Sequence, residues 1–441
     1  MKRIIFILIL GSICCLASAT VLGDLAASMK AGEWRTLTTV GAVAALGQTG
    51  GATGNTIPYA NSGVWDPVDH AFYFLGSDHF HATGYSRFIK YSESTNTWTT
   101  LTRPTWFWAL TETAMHGYDH NAIDPAAGVF YHTPFVKNGG SRTIYRYNLR
   151  TNTWFSPFMV SGIGSSACCI SMRYFPEYHG LIFVDGSLGV YGCKIGATNT
   201  WQMLKSGATL GDYHNMSEYN PVHKVVVGGG GNSSGALYKI DSNGTVTTLK
   251  NAPVNFRILE NVLTVDPVGG DFLLFTLNKE FYAYNVLTDT WTLQTGTVPP
   301  IYTTGVTGGA VACVIATPIP EYGVNMFVSC NGSTDCWVSL YKRTASAEIT
   351  SALLSQSKTL SLSISPNPVI RSASVRVSGI KPTMCKVLDV RGRLFQELRI
   401  SAANGTGNQF TWDASKMPAG FYLMQVTDGN KTLTQKIFVQ K

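Results

Sequence analysis

Charge is scarce: only 13% of the 441 residues are Asp, Glu, Lys or Arg. Long salt-bridged helices, coiled coils and disordered tails need more charge than that, so none is expected. Beyond residue 19 no stretch approaches about 18 uninterrupted apolar residues, which excludes a membrane-spanning helix. Cysteine spacings resemble no zinc site, and no paired carboxylates stand out, which weighs against a glycosidase-type hydrolase. What is abundant is glycine, 44 residues, with 20 Tyr and 10 Trp. Together with many threonines, that composition belongs to an all-β chain with frequent turns.

The formal charge of +7 is unevenly spread. Lys2 and Arg3 hold two positive charges, and residues 360–441 carry 11 Lys/Arg against 4 Asp/Glu, leaving the body 20–345 at −2. A mildly acidic body is a poor footprint for phosphate backbones, so nucleic acid is not an expected partner. Lys2-Arg3, the apolar run Ile4–Leu16 and Ala17-Ser18-Ala19 form a secretory leader over 1–19, cleaved at an A-x-A site. A lipoprotein reading of Cys14 or Cys15 is weakened by the bulky Ile13 before them. Export permits disulfides. Cys330 and Cys336, flanking an Asn-Gly turn, are the leading pair, and Cys193 with Cys168 or Cys169 is a looser one.

A hairpin repeats along the body. Phe88-Ile-Lys-Tyr-Ser-Glu-Ser-Thr-Asn-Thr-Trp98 recurs at Ile144–Trp154 and Phe281–Trp291, with degenerate copies at Cys193–Trp201 and Leu237–Val246. Each is an alternating strand, an Asn/Asp/Thr turn and a second strand, spaced by about 45–56 residues. Upstream of each hairpin lies another strand pair, usually joined by a turn with Pro: 64–76, 122–131, 173–183, 218–227, 263–273 and 320–327. The period resembles that of Kelch-type β-propellers. It implies an all-β fold, a six-bladed Kelch-like β-propeller over 32–345. The last unit lacks its Trp strand, and Glu33-Trp34-Arg-Thr-Leu37 supplies one, so this N-terminal strand is expected to close the last blade. Residues 38–61 and 155–166 are expected as Gly/Ser-rich loops on the funnel face.

After a linker at 346–359 the character changes. Ser365-Pro-Asn-Pro-Val369, Leu388-Asp-Val-Arg-Gly-Arg-Leu394, Pro418-Ala-Gly-Phe-Tyr-Leu423 and the terminal Gln435-Lys-Ile-Phe-Val439 resemble the C-terminal sorting domain of the type IX secretion system. From the residues alone, 360–441 reads as a small Ig-like β-sandwich. The resemblance implies the type IX secretion machinery as a partner, and a protein secreted or attached to the outer cell surface.

Propellers place ligands in the central funnel, so polar residues beside the inner strands are the candidates. His79 and His81 follow the first blade's second strand, His116, Tyr118 and His120 open the second blade, Arg173 lies in the third and His214 in the fourth. Gly76-Ser-Asp-His79-Phe-His81 and His116-Gly-Tyr118 resemble segments of propeller polysaccharide lyases, with Ser77 and Asp78 in place of glycines. The resemblance implies β-elimination at a uronate: Arg173 or a His would neutralise the carboxylate, and Tyr118 or His116 would move protons, with His214 in the same pocket. Trp106 and Trp108 could stack on sugar rings. His79/His81 and His116/His120 are pairs without a third ligand, so no metal or other cofactor is assigned. Galactose oxidase, a Kelch-type copper enzyme, is similar at the level of the propeller, but its Tyr/Cys/His copper constellation is not recognisable here. Gly228–Gly231 follows a strand and precedes no helix pattern, so it reads as a turn rather than a phosphate loop. The sequence therefore points to an exported propeller that recognises, and in the lyase reading cleaves, an extracellular polysaccharide. The alternative is a non-catalytic surface adhesin or scaffold that uses the propeller rim.

Overall fold

The computed structural model describes residues 20–46, 56–57, 59–76, 87–102, 118–133, 143–156, 158–159, 170–186, 189–196, 199–258, 260–295, 301, 314–331, 335–343, 361–365, 367–378, 382–389, 393–400, 405–406, 409–428 and 432–440. The expected leader 1–19, the expected linker 346–359 and the candidates His79, His81, Trp106, Trp108 and His116 lie outside the described residues. The chain divides into two compact units, 1–346 and 347–441.

The first unit is all-β and propeller-like, built from six antiparallel sheets among the described residues. Their first strands are Val64–Asp66, Asn121–Asp124, Ser171–Phe175, Asn215–Asn220, Asn261–Val265 and Val314–Ile319. These strands lie side by side in chain order, and the sixth lies beside the first, closing a circle. Parallel bridges join Ala60 to Tyr118, Asp119 to Ser171 and Ser62 to Ala316, so the first strands run in one direction around the axis. In the last sheet the outer position is taken by Glu33–Leu37, paired antiparallel to Asp335–Lys342. Trp34 stacks on Tyr341 at 4.5 Å and meets the edge of Phe275 at 5.6 Å, so this strand also reaches the neighbouring sheet.

The hairpin repeat has a local cause. Asn96, Asn152, Asn199 and Asp289 each occupy the left-handed region, with φ of 53°, 56°, 50° and 52°, where Asn and Asp are tolerated better than other side chains. In three copies a tyrosine hydroxyl donates to that side chain: Tyr91 to Asn96 at 3.0 Å, Tyr147 to Asn152 at 3.3 Å and Tyr284 to Asp289 at 2.6 Å. The same tyrosine packs on the Trp after the turn, at 5.1, 5.1 and 4.7 Å between ring centres. The inner turns are equally chemical. Asp66, Asp124, Asn220 and Asp266 precede a proline and accept backbone N–H bonds two or three residues on. Their sheets pack through aromatic side chains, as where Phe88 meets Phe130 and Tyr147 of the next sheet at 5.2 and 4.9 Å.

Several expectations are corrected. Residues 38–61 are not loop throughout: Ala42–Leu46 is a helix, because Ala-Val-Ala-Ala-Leu joins strong helix formers to the buried side chains of Ala45 and Leu46. Residues 155–166 include a short strand, Phe158–Met159, paired with Thr143–Ile144. A further helix, Val21–Ser28, is capped by Thr20 and buries Leu22 and Ala26. Gly228–Gly230 belongs to a strand rather than a turn, and a Cβ at Gly230 would stand 1.7 Å from the Phe256 carbonyl oxygen. Cys330 and Cys336 form a disulfide. Cys193 is instead a free thiol in the core beside Leu181 and Phe183, pushed up to about 11 by burial.

The second unit has two four-stranded antiparallel sheets over one core centred on the fully buried Trp412. Its motifs each close a specific contact. Asn367 of Ser-Pro-Asn-Pro donates to the Lys436 carbonyl and accepts from Phe438 N–H, tying the motif to the last strand. Asp389 receives Arg393 N–H at 2.9 Å and Arg393 Nε at 2.7 Å. Tyr422 donates to the Pro418 carbonyl, bracing the Pro-Ala-Gly turn.

Candidate functional site

Because the first strands run in parallel, their starting residues gather at one end of the axis and their proline turns at the other. The starting end carries Tyr59, Tyr118, Tyr213 and His214, all in the left-handed region with φ of 58°, 33°, 59° and 60°. Such backbone costs about 1–3 kcal/mol per bulky residue and persists only where the surroundings demand it. The rings form a group: His214 lies 6.0 Å from Tyr59, 5.9 Å from Tyr118 and 6.1 Å from Tyr213. Tyr118 lies 5.2 Å from His120, which lies 6.2 Å from His132. His214 Nδ1 bonds Asn232 Oδ1 at 2.9 Å, and the same oxygen accepts from Arg257 Nη1 at 3.2 Å. Tyr213 is 53% exposed, whereas Tyr118 is buried, so the group runs from solvent into the ring. Burial raises the Tyr118 phenol far above its ordinary range and keeps it protonated. His132, donating from Nδ1 to Asn121 Oδ1 at 3.0 Å, is pushed down to about 3 by burial and stays neutral.

Arg173 is placed elsewhere. Six prolines, at 67, 125, 176, 221, 267 and 320, follow the first strands, and three residues before them stand Val64, Ala122, Arg173, Glu218, Thr264 and Thr317. This shared position brings Arg173 and Glu218 to the axis on adjacent strands. Arg173 Nη2 lies 3.0 Å from Asp119 Oδ2 and also donates to Ser62 Oγ, while Nη1 donates to the Met172 carbonyl at 2.7 Å. Arg173 Nε lies 3.5 Å from Glu218 Oε1. Asp119 is fully buried and further accepts from Ser62 Oγ at 2.7 Å, Ser171 Oγ at 2.8 Å and Ser217 N at 3.2 Å. Thus Tyr118, His120 and His214 come together at one end, while Arg173 serves an internal ion pair directed toward the other. Its charge is already met by two carboxylates, which leaves it poorly placed to neutralise a substrate at the Tyr118 end.

Sequence reasoning missed Asp119 and Glu218, although the three-before-proline position marks Glu218 as readily as Arg173. It also missed Tyr59 and Tyr213, whose left-handed backbone has no signature without glycine. No group of three or more His, Cys, Asp or Glu able to hold a metal ion occurs among the described residues. No helix there is long and apolar enough to cross a membrane.

Residues 363–440 match the family described as secretion system C-terminal sorting domain. The chain therefore carries a type IX sorting domain, and the protein is exported, either secreted or attached to the cell surface. No curated protein matches it. Among solved structures, it is similar to a structural genomics protein of unknown function from Bacteroides thetaiotaomicron, at 14% identity and a TM-score of 0.46 over 70% of this chain and 76% of that one. It is also similar to TolB from Acinetobacter baumannii, at 14% identity and a TM-score of 0.32 over 64% of this chain and 54% of that one.

Proposed function

We propose that the first unit is a six-bladed Kelch-like β-propeller that recognises an extracellular polysaccharide at the funnel mouth formed by Tyr59, Tyr118, Tyr213 and His214. The observation that carries this reading is the gathering of four strained, ring-bearing residues at one end of the axis. Tyr rings with a polar edge stack on sugar faces and bond their hydroxyls, at low cost in side-chain entropy. An exported protein meets polymers of that class outside the cell, and the mouth is preferred over the rim because the rings of Tyr59, Tyr118 and Tyr213 gather there around His214.

Lyase-type β-elimination at the same mouth is the second reading, favoured by the Tyr118–His214 contact at 5.9 Å. In it the protonated Tyr118 phenol would supply the leaving oxygen's proton and an imidazole, His214 or His116, would act as base. A substrate carboxylate would need a cation other than Arg173. The test incubates the full exported chain with a panel of acidic and neutral polysaccharides, reading both binding and the ultraviolet absorbance of unsaturated uronate ends. Binding without absorbance supports recognition alone, absorbance lost in His116→Ala supports the lyase, and neither signal on any polymer rejects the mouth as a glycan site.

A further inference from the structure

At the proline end of the ring lies a cavity of about 160 Å³. That is close to the roughly 150 Å³ of an engineered cavity that takes up benzene. Its lining is mostly apolar, with Val64, Trp65, Ala122, Tyr174 and Tyr219, and its charged lining residues are Arg173 and Glu218. Both charged residues are 6% exposed.

Asp119, Glu218 and Arg173 together carry one carboxylate more than they have cations. Asp119 takes the shorter contact with Arg173, 3.0 Å against 3.5 Å, and four neutral donors besides. Glu218 Oε1 accepts from its neighbour Tyr219 N at 2.9 Å, whereas Oε2 has no hydrogen-bond partner among the described residues. Its carboxyl is pushed up to about 7, chiefly by burial, with Arg173 opposing the rise and Asp119 adding to it. No other charge faces it from the lining: Val64, Ala122 and Thr317 are neutral, and burial keeps the Tyr174 and Tyr219 phenols protonated. Glu177, behind Tyr219, is paired with Lys224 at 2.5 Å.

We propose that this cavity is a binding site for a compact organic monocation, an amine with an apolar body about the size of a benzene ring. The ammonium would bond Glu218 Oε2 and supply the missing positive charge. An anion would meet the Glu218 carboxylate, since Arg173 is already held by Asp119 and Glu218, and a neutral ligand would leave the excess carboxylate unmatched. The proposal is independent of the polysaccharide reading, which concerns the opposite end of the axis.

The probe is benzylammonium, titrated calorimetrically into the full-length exported protein, with benzyl alcohol and benzoate as isosteres. The expected result is saturable binding of benzylammonium at least tenfold tighter than either isostere, strengthening from pH 6 to pH 8 as Glu218 ionises. Glu218→Gln should weaken it at least tenfold and remove that pH dependence. Ala122→Leu, which fills the cavity without touching charge, should abolish binding and is the second variant should the first fail to fold. Equal binding of benzyl alcohol or benzoate, unchanged affinity in either variant, or no binding of benzylammonium at millimolar concentration would overturn the proposal.

Discussion

Arg173 and Glu218 stand at the same place in adjacent inner strands, each three residues before the proline that opens its turn, with Nε and Oε1 3.5 Å apart. Asp119 completes the group at 3.0 Å from the segment that leads into the strand Asn121–Asp124. A buried ion group of this kind ties three sheets together at the axis, and breaking it should be costly because the remaining charges stay buried.

Arg173→Met removes the one cation that Asp119 and Glu218 have among the described residues. The expected loss is about 3–5 kcal/mol of unfolding free energy, measured by denaturant titration at pH 7. Asp119→Asn with Arg173→Met should recover part of that loss, since one of the stranded carboxylates is then gone.

Two buried groups give pH dependences of opposite sign. Glu218 is raised from its ordinary 4.5 to about 7, so the fold favours its protonated form. Its stabilising contribution is complete below pH 4.5 and is lost as pH rises toward 7. His132 is lowered from 6.5 to about 3, so its contribution is complete above pH 6.5 and is lost as pH falls toward 3. Difference curves of melting temperature against pH should show the first trend for wild type relative to Glu218→Gln, and the second relative to His132→Gln. Flat difference curves would remove these two groups from the account.

Trp34 binds the N-terminal strand to the last sheet through Tyr341 and to the fifth sheet through Phe275. Trp34→Ala should cost about 3 kcal/mol, the low end for a large aromatic because part of the ring is exposed. Hydrogen exchange should rise first in Glu33–Leu37 and in its partner Asp335–Lys342, where backbone pairing depends on that ring.

Much of the frame was legible because its signals are local. An Asn or Asp that must adopt positive φ, a tyrosine five residues earlier that bonds it and a Trp that packs on that tyrosine repeat together, so Tyr91/Asn96/Trp98 announces the same hairpin as Tyr284/Asp289/Trp291. The sorting domain was legible for the same reason, since Asp389–Arg393 and Pro418–Tyr422 are short-range contacts. The axis was harder. Arg173 meets Asp119 across 54 positions and Ser62 across 111, distances over which only the ring's closure sets the register. The helix Ala42–Leu46 hid among glycines because its stability comes from burial of Ala45 and Leu46 rather than from length. Tyr59, Tyr118, Tyr213 and His214 hid because strained backbone on a non-glycine residue is imposed by tertiary structure.

The most direct test of polysaccharide recognition at the funnel mouth is binding of the full-length exported protein to a glycan panel, compared with Tyr213→Ala and His214→Ala. The account predicts a polymer that binds wild type and binds each variant at least tenfold more weakly, with melting temperatures close to wild type. Undiminished binding in both variants, or no bound polymer at all, would contradict it.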